Sequence, residues 1–230
     1  MERDLTRERI IKAASDLLTK GGRDAVSTRA VCAAAGVQSP TLYRLFGDKH
    51  GLLDAVASHE FESYLAGKTA LAETDDPVED LRHGWDLHVS FGVANPACYS
   101  LVFGEARPGT ESPAARKAAA VLAARIRRIA EAGRLRVSEE RAAHLVHATG
   151  SGMTFTLISL PEERRDPALS VMAREAIIAT ITTGESPTAE DGPTGIAVAL
   201  RAIAPKLTML SPAERALLTE WMDRIAASEG

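Results

Sequence analysis

Gln38, Ser39, Thr41, Tyr43 and Arg44 fall within seven residues, and Lys49 follows five later. These side chains carry amides, hydroxyls and positive charge, and the chemistry they suit is recognition. A Gln amide matches the hydrogen-bonding edge of adenine and an Arg fork matches guanine. Tyr43, Arg44 and Lys49 form a set that suits phosphate oxygens, which position a protein on a duplex without specifying sequence. Such a set reads DNA only if a short helix presents it to a groove. The stretch from Ser27 to Leu53, STRAVCAAAGVQSPTLYRLFGDKHGLL, predicts that helix. A first short helix is expected over residues 28–35, with Ser27 as its cap. Gly36 then supplies the backbone freedom of a tight turn, and Val37 packs beneath it. The second helix starts near Ser39 with Pro40 in its first turn, where a missing N–H costs nothing. This is helix-turn-helix grammar, whose second helix enters a major groove.

The rest of the chain must support that element. Of 230 residues, 45% are apolar and 25% charged, the balance of a globular protein. Aromatics are scarce at 4% and Ala is abundant, which favours closely packed helices. No strand-length alternation recurs, so an all-α fold is predicted. Cys32 and Cys98 match no metal spacing, and Cys32 reads as a buried structural thiol. The first residues, MERDLTRERI, lack the apolar core of a signal peptide. No run approaches the roughly 18 apolar residues of a membrane span. A cytoplasmic protein without membrane contact is expected. The net charge of −4 divides unevenly. Residues 1–55 hold nine Lys/Arg against seven Asp/Glu, a net of +2, and the remainder carries −6. The positive excess lies with the helix-turn-helix, and over a Debye length of about 8 Å local charge governs phosphate attraction.

Helical spacing places a first helix over 6–20, capped by Thr6 and stopped by Gly21-Gly22, with Ile10, Ala13, Ala14, Leu17 and Leu18 inside. A fourth helix is expected from Asp48 to about Thr74, carrying Leu52, Leu53, Val56, Phe61 and Leu65. It is long enough to leave the N-terminal unit. Further helices are predicted over 77–95, 97–103, 113–131, 138–160 and 166–183. A polar loop, 184–195, precedes a short helix at 196–204. Ser211-Pro212-Ala213-Glu214 reads as a capping box opening a last helix to about Ser228, with Leu217, Leu218, Trp221 and Ile225 on its apolar side. Two domains follow from this pattern, 1–55 and 56–230.

The N-terminal block resembles the DNA-binding domain of the tetracycline-repressor (TetR) family of bacterial transcription regulators. The residues that carry the resemblance are TRERIIKAASDLL, STRAV, AAAGV, TLYRLF and GDKHGLL, about 50 residues in register. It implies a homodimer that represses transcription from a palindromic operator until a small molecule binds the C-terminal domain. It implies backbone contacts from Thr41 and Tyr43, a phosphate contact from Lys49, and positions near the backbone for Ser27 and Arg29. Gln38, Ser39 and Arg44 fall at variable positions facing bases or neighbouring phosphates. Arg23 departs from the family pattern, which often has an aromatic there.

Trp85, His88, Phe91, Tyr99 and Phe103, with Met153 and Phe155, are candidates to line an effector cavity, because small-molecule sites are apolar with a few polar groups. His144, Ala148, Gly152 and Ser159 share one helical face. With Met172 and Ala176 on the following helix they are the candidate dimer interface. Gly150 and Gly152 inside a helix each cost about 1 kcal/mol relative to Ala, and close approach is the physical reason for a glycine there. His144 and His147 share a spacing that suits a metal, but no third ligand is evident and none is expected. Arg125, Arg127 and Arg128 read as a solvated helix face. No hydrolase elbow, P-loop, dinucleotide fingerprint or zinc-protease motif is present, so neither enzyme activity nor a cofactor is expected. The expected function is a ligand-responsive, DNA-binding transcriptional regulator. Control by a protein partner, or a helical interaction module without DNA binding, are the alternatives.

Overall fold

The computed structural model describes residues 2–70, 74–104, 112–183 and 192–227. The chain forms helices α1 (Glu2–Ala25), α2 (Thr28–Ala35), α3 (Ser39–Phe46), α4 (Lys49–Ala70), α5 (Pro77–Ala94), α6 (Pro96–Phe103), α7 (Pro113–Glu131), α8 (Glu139–Ser159), α9 (Pro167–Ile181), α10 (Gly192–Ile203) and α11 (Pro212–Ala227). Among the described residues the β pairing is a single bridge, Leu135 to Thr182. The fold is all-α. The stretch between the helices expected at 97–103 and 113–131 and the polar loop at 184–195 fall largely outside the described residues, as do the side chain of Leu65 and the terminus from Ser228.

By packing, the chain forms two compact units. One comprises residues 1–71 with 91–118, and the other 72–90 with 119–230. Helices α5 and α7 divide between them. The boundary expected at residue 55 falls inside α4, which continues to Ala70.

In the first unit, Ile10, Ala14, Val31, Leu42, Leu52, Val56 and Phe61 are essentially inaccessible, so α1, α2, α3 and α4 share one core. Helix α1 begins earlier than Thr6. The Thr6 hydroxyl donates to the carbonyl of Glu2 one turn back instead of capping. The first turn carries Glu2 and Asp4, which suit the positive end of the helix. Ile11 is buried as well, and Ala13 and Leu17 only half so. The helical geometry breaks at Gly21 and Gly22, where the stop was expected.

The second unit is tied together by ion pairs that sequence spacing does not reveal. Asp80, in the first turn of α5, is 6% exposed. It accepts from the N–H and hydroxyl of Thr74 and from the Arg128 guanidinium. Arg125 donates to the Asp80 carbonyl. It passes over Gly84, where an added Cβ would stand 2.0 Å from its Nη1. Arg134 pairs with Asp76, and Arg127 with Glu139. The 125–128 run is therefore engaged with carboxylates and a carbonyl, not a solvated face. Arg82 and Arg174 share Glu175. At the C-terminal end, the expected capping box forms. Ser211 N–H donates to Glu214 and Glu214 N–H to Ser211 Oγ. Helix α10 starts four residues before the expected position. On the apolar side of α11, Leu217 and Trp221 are about half exposed while Leu218 and Ile225 are half-buried.

Burial acts to raise the Asp80 pKa, but the Thr74 N–H and the Arg128 guanidinium outweigh it and hold the carboxyl below its ordinary 3.8. A depressed folded-state pKa gives stability that is complete above the unfolded value and lost as pH falls through the folded one. Asp80→Asn is expected to lower stability by about 2 kcal/mol at neutral pH. Below pH 3.8 the difference should shrink, as urea denaturation on both sides of that pH would show.

Candidate nucleic-acid interface

Each residue of the reading helix is placed by a local device. Ser27 caps α2, its Oγ accepting from Ala30 N–H at 3.2 Å. Gly36 adopts φ 63°, ψ 40°, the left-handed region that only glycine enters without strain. Val37 N–H then returns to the Cys32 carbonyl at 3.0 Å. Gln38 stands at the cap position of α3 yet makes no side-chain cap bond, which leaves its amide open. Leu42 is the buried anchor of α3. Asp48 caps α4 by accepting from Gly51 N–H at 2.8 Å. A Cβ on Gly51 would stand 2.0 Å from the Phe46 carbonyl oxygen, so the first turn of α4 sits directly against the end of α3.

Two further residues fix this frame, and no local spacing marks them. Arg9 of α1 donates through Nε to the Ala35 carbonyl at 3.1 Å, 26 residues away, and holds the end of α2. The Arg7 guanidinium lies 5.5 Å above the centre of the Phe46 ring.

The outward face carries the residues expected to contact DNA. Ser27, Arg29, Gln38, Ser39, Tyr43, Arg44 and Lys49 are exposed and Thr41 is half-buried. Tyr43 exposes 48% of its surface, an unusual position for an aromatic with no partner to cover it. Arg29, Arg44 and Lys49 form no ion pair among the described residues. In the second unit, by contrast, Arg82, Arg128, Arg134, Arg174 and Arg201 each have a carboxylate. Among the described residues, no carboxylate pairs with the positive charge of this face.

Residues 10–56 match the family described as bacterial regulatory proteins, tetR family. That segment, the helix-turn-helix and the helices framing it, carries the tetR-family pattern. Among curated relatives, the class A tetracycline repressor protein from transposon 1721 of Escherichia coli is 48% identical over 48 residues, 21% of this chain and 22% of that repressor. The class D repressor of Escherichia coli is 37% identical over 71 residues, 28% of this chain and 33% of its own length. The chain thus spans about a quarter to a third of the repressors it matches. Over the whole fold it is similar to the crystal structure of RolR in complex with resorcinol, with a TM-score of 0.62 at 21% identity, covering 83% of this chain and 92% of that one. It is also similar to a tetR-family transcriptional regulator of Haemophilus influenzae, with a TM-score of 0.56 at 21% identity, covering 80% and 100%.

The residues expected to line an effector cavity fall into two groups. Phe91, Tyr99 and Phe103 join Phe61 and Tyr64 in the first unit. Tyr64 stacks on Phe91 at 4.5 Å, Phe61 meets Phe91 and Phe103 edge-on, and Tyr99 lies 4.8 Å from Phe103. Phe61 is expected from sequence only as a core residue of its own helix, and no spacing singles out Tyr64. In the second unit Trp85 donates through Nε1 to Ser170 Oγ at 3.0 Å. Gly150 lets α8 approach Trp85 and His88, since a Cβ there would stand 3.4 Å from the indole and 3.8 Å from the imidazole. Met153 and Phe155 are half-buried on α8.

Gly150 and Gly152 therefore differ. Nothing lies within 4 Å of where a Cβ on Gly152 would be. His144, Ala148, Gly152 and Ser159 are exposed along α8, as are Met172 and Ala176 along α9. Among the described residues no cluster of three or more His, Cys, Asp or Glu suits a metal, and no helix is long and apolar enough to cross a membrane.

Gly36→Ala would force a side chain into the left-handed region at a cost of about 1 kcal/mol. Urea denaturation should show that loss, and a smaller one for Gly36→Asn, because Asn tolerates this conformation.

Proposed function

We propose that the chain is a homodimeric transcriptional repressor that binds a palindromic operator and is released by a small molecule. The carrying observation is the exposed set Arg29, Tyr43, Arg44 and Lys49, whose cations have no ion pair among the described residues, on a helix-turn-helix held by α1 and α4. Phosphate contacts from such cations supply sequence-independent affinity, and Gln38, Ser39 and Arg44 sit where base edges would be read. Helix α3 has eight residues, so few of its side chains reach bases. One half-site is too small for genomic specificity. A two-fold dimer reading half-sites about 34–36 Å apart answers that shortage.

The dimer surface proposed is the exposed face of α8 and α9. Leu145, Leu169 and Met172 are exposed there beside Ala148, Gly152 and Ala176. Small residues between apolar ones allow close helix approach, and exposed apolar patches mark interaction surfaces. The effector is sought in two places, the ring cluster around Phe91 and the Trp85–His88 region. RolR, similar in fold, was crystallised with resorcinol, and a compact aromatic is a suitable first probe. An effector acts by favouring one dimer geometry, and it shifts the population only by its difference in affinity for the two.

Fluorescence anisotropy against DNA from upstream of the chain's own gene, at two salt concentrations, tests the reading. Tight, salt-sensitive binding to one palindromic segment is expected, with Tyr43→Ala weakening it at least tenfold, about 1.4 kcal/mol. Binding without sequence preference would count against an operator-specific regulator. A compound that raises thermal stability but leaves operator affinity unchanged would count against ligand release.

Sedimentation tests the dimer surface separately. Gly152→Leu adds bulk where the monomer has open space, so its fold should persist while the dimer dissociates. An unchanged dimer would move the interface elsewhere.

A further inference from the structure

Arg7 packs on the reader frame through its guanidinium face, and the edge of that group has no part in the packing. The residue precedes the 10–56 segment that matches the family, and it sits on α1 rather than on the helix-turn-helix itself. Its guanidinium lies over the ring of Phe46, the last residue of α3. Arg44 precedes that ring by two residues and Lys49 follows by three, and both are exposed and without an ion pair among the described residues. The Gly51–Phe46 approach places the first turn of α4 at the same junction. Helix α1, the end of α3 and the first turn of α4 thus meet at one junction of the reader.

Arg7 is itself exposed and, like its neighbours, forms no ion pair among the described residues. A guanidinium stacked on an aromatic face keeps its edge N–H groups free to donate. The stacking also removes much of the rotamer freedom that a free Arg loses on binding. A stacked, exposed Arg with open donors, at the junction where α4 begins, is arranged for a phosphate.

We propose that Arg7 is a phosphate-binding residue of the DNA reader, pre-positioned by Phe46. The proposal rests on the DNA-binding reading above. It commits to a sequence-independent contact, so it is tested on random-sequence duplex DNA without knowledge of the operator.

The experiment is the salt dependence of binding by the full chain. Each phosphate neutralised contributes about 0.9 to the slope of log affinity against log salt on B-form DNA. Arg7→Ala is expected to reduce the slope by about 0.9 per bound chain. Arg7→Lys should retain most of it, since the charge survives. Lys20→Ala serves as the control, because it removes an exposed cation from the distant end of the same helix and should leave the slope at the wild-type value. Thermal melting of each variant reports folding independently. A lower melting temperature for Arg7→Ala with an unchanged slope would overturn the proposal and make Arg7 a staple between α1 and α3. Equal slope changes in Arg7→Ala and Lys20→Ala would overturn it in favour of a general charge effect. Wild-type binding that ignores salt would overturn the DNA-binding reading and this assignment together.

Discussion

An eight-residue helix cannot hold its own shape in water. Isolated helices shorter than about 12–15 residues are marginal even with favourable composition, and α3 buries only one residue completely, Leu42. Its position is therefore borrowed. Leu42 drops into a core built by Ile10 and Ala14 of α1, Val31 of α2, and Leu52 and Val56 of α4. Arg9 holds the end of α2, Gly36 sets the turn angle, and Gly51 lets α4 press on the Phe46 carbonyl. What makes α3 useful for reading DNA, its bare outward face, is also what deprives it of intrinsic stability. The surrounding helices supply the rigidity that recognition requires.

Charge follows the same division of labour. In the second unit arginines are spent on structure. Asp80 is buried yet ionised because Arg128, Thr74 and the Arg125 contact with its carbonyl surround it. Breaking such a set exposes the desolvation penalty of whatever group remains. On the reader the opposite holds. Among the described residues Arg29, Arg44 and Lys49 have no ion-pair partner, at little cost because water solvates them. The whole-chain charge of −4 conceals this arrangement, which concentrates attraction where a polyanion would bind.

The two helical glycines show how one residue type serves two ends. Gly150 makes room for Trp85 inside the second unit, where the indole also donates to Ser170. Gly152, two residues on, points at open space. A helix whose successive glycines face inward and outward has one side closed by its own chain and one side smooth enough for another surface. The aromatic residues divide similarly. Tyr64, Phe91, Tyr99 and Phe103 pack ring on ring with Phe61, while Trp221 and Tyr43 remain half exposed.

The sequence by itself determined the helix-turn-helix to the residue. Ser27, Gly36, Pro40 and Gly47 each act within a turn of where they stand, so caps, breaks and starts are local facts. The same holds for the capping box at Ser211 and for the all-α composition. Helix ends without such markers were less legible. Thr6 has cap chemistry, but the chain before it continues the helix because Glu2 and Asp4 suit its first turn. Tertiary structure alone decided the long-range partners. Arg9 reaches Ala35, Arg128 reaches Asp80 and Phe61 meets Phe103 across gaps of 26 to 48 residues, and no periodicity encodes such distances. It also decided which apolar stripes are covered. Spacing shows that Leu217 and Trp221, or Leu169 and Met172, share a face. Only the packing of the folded chain shows that the face is open.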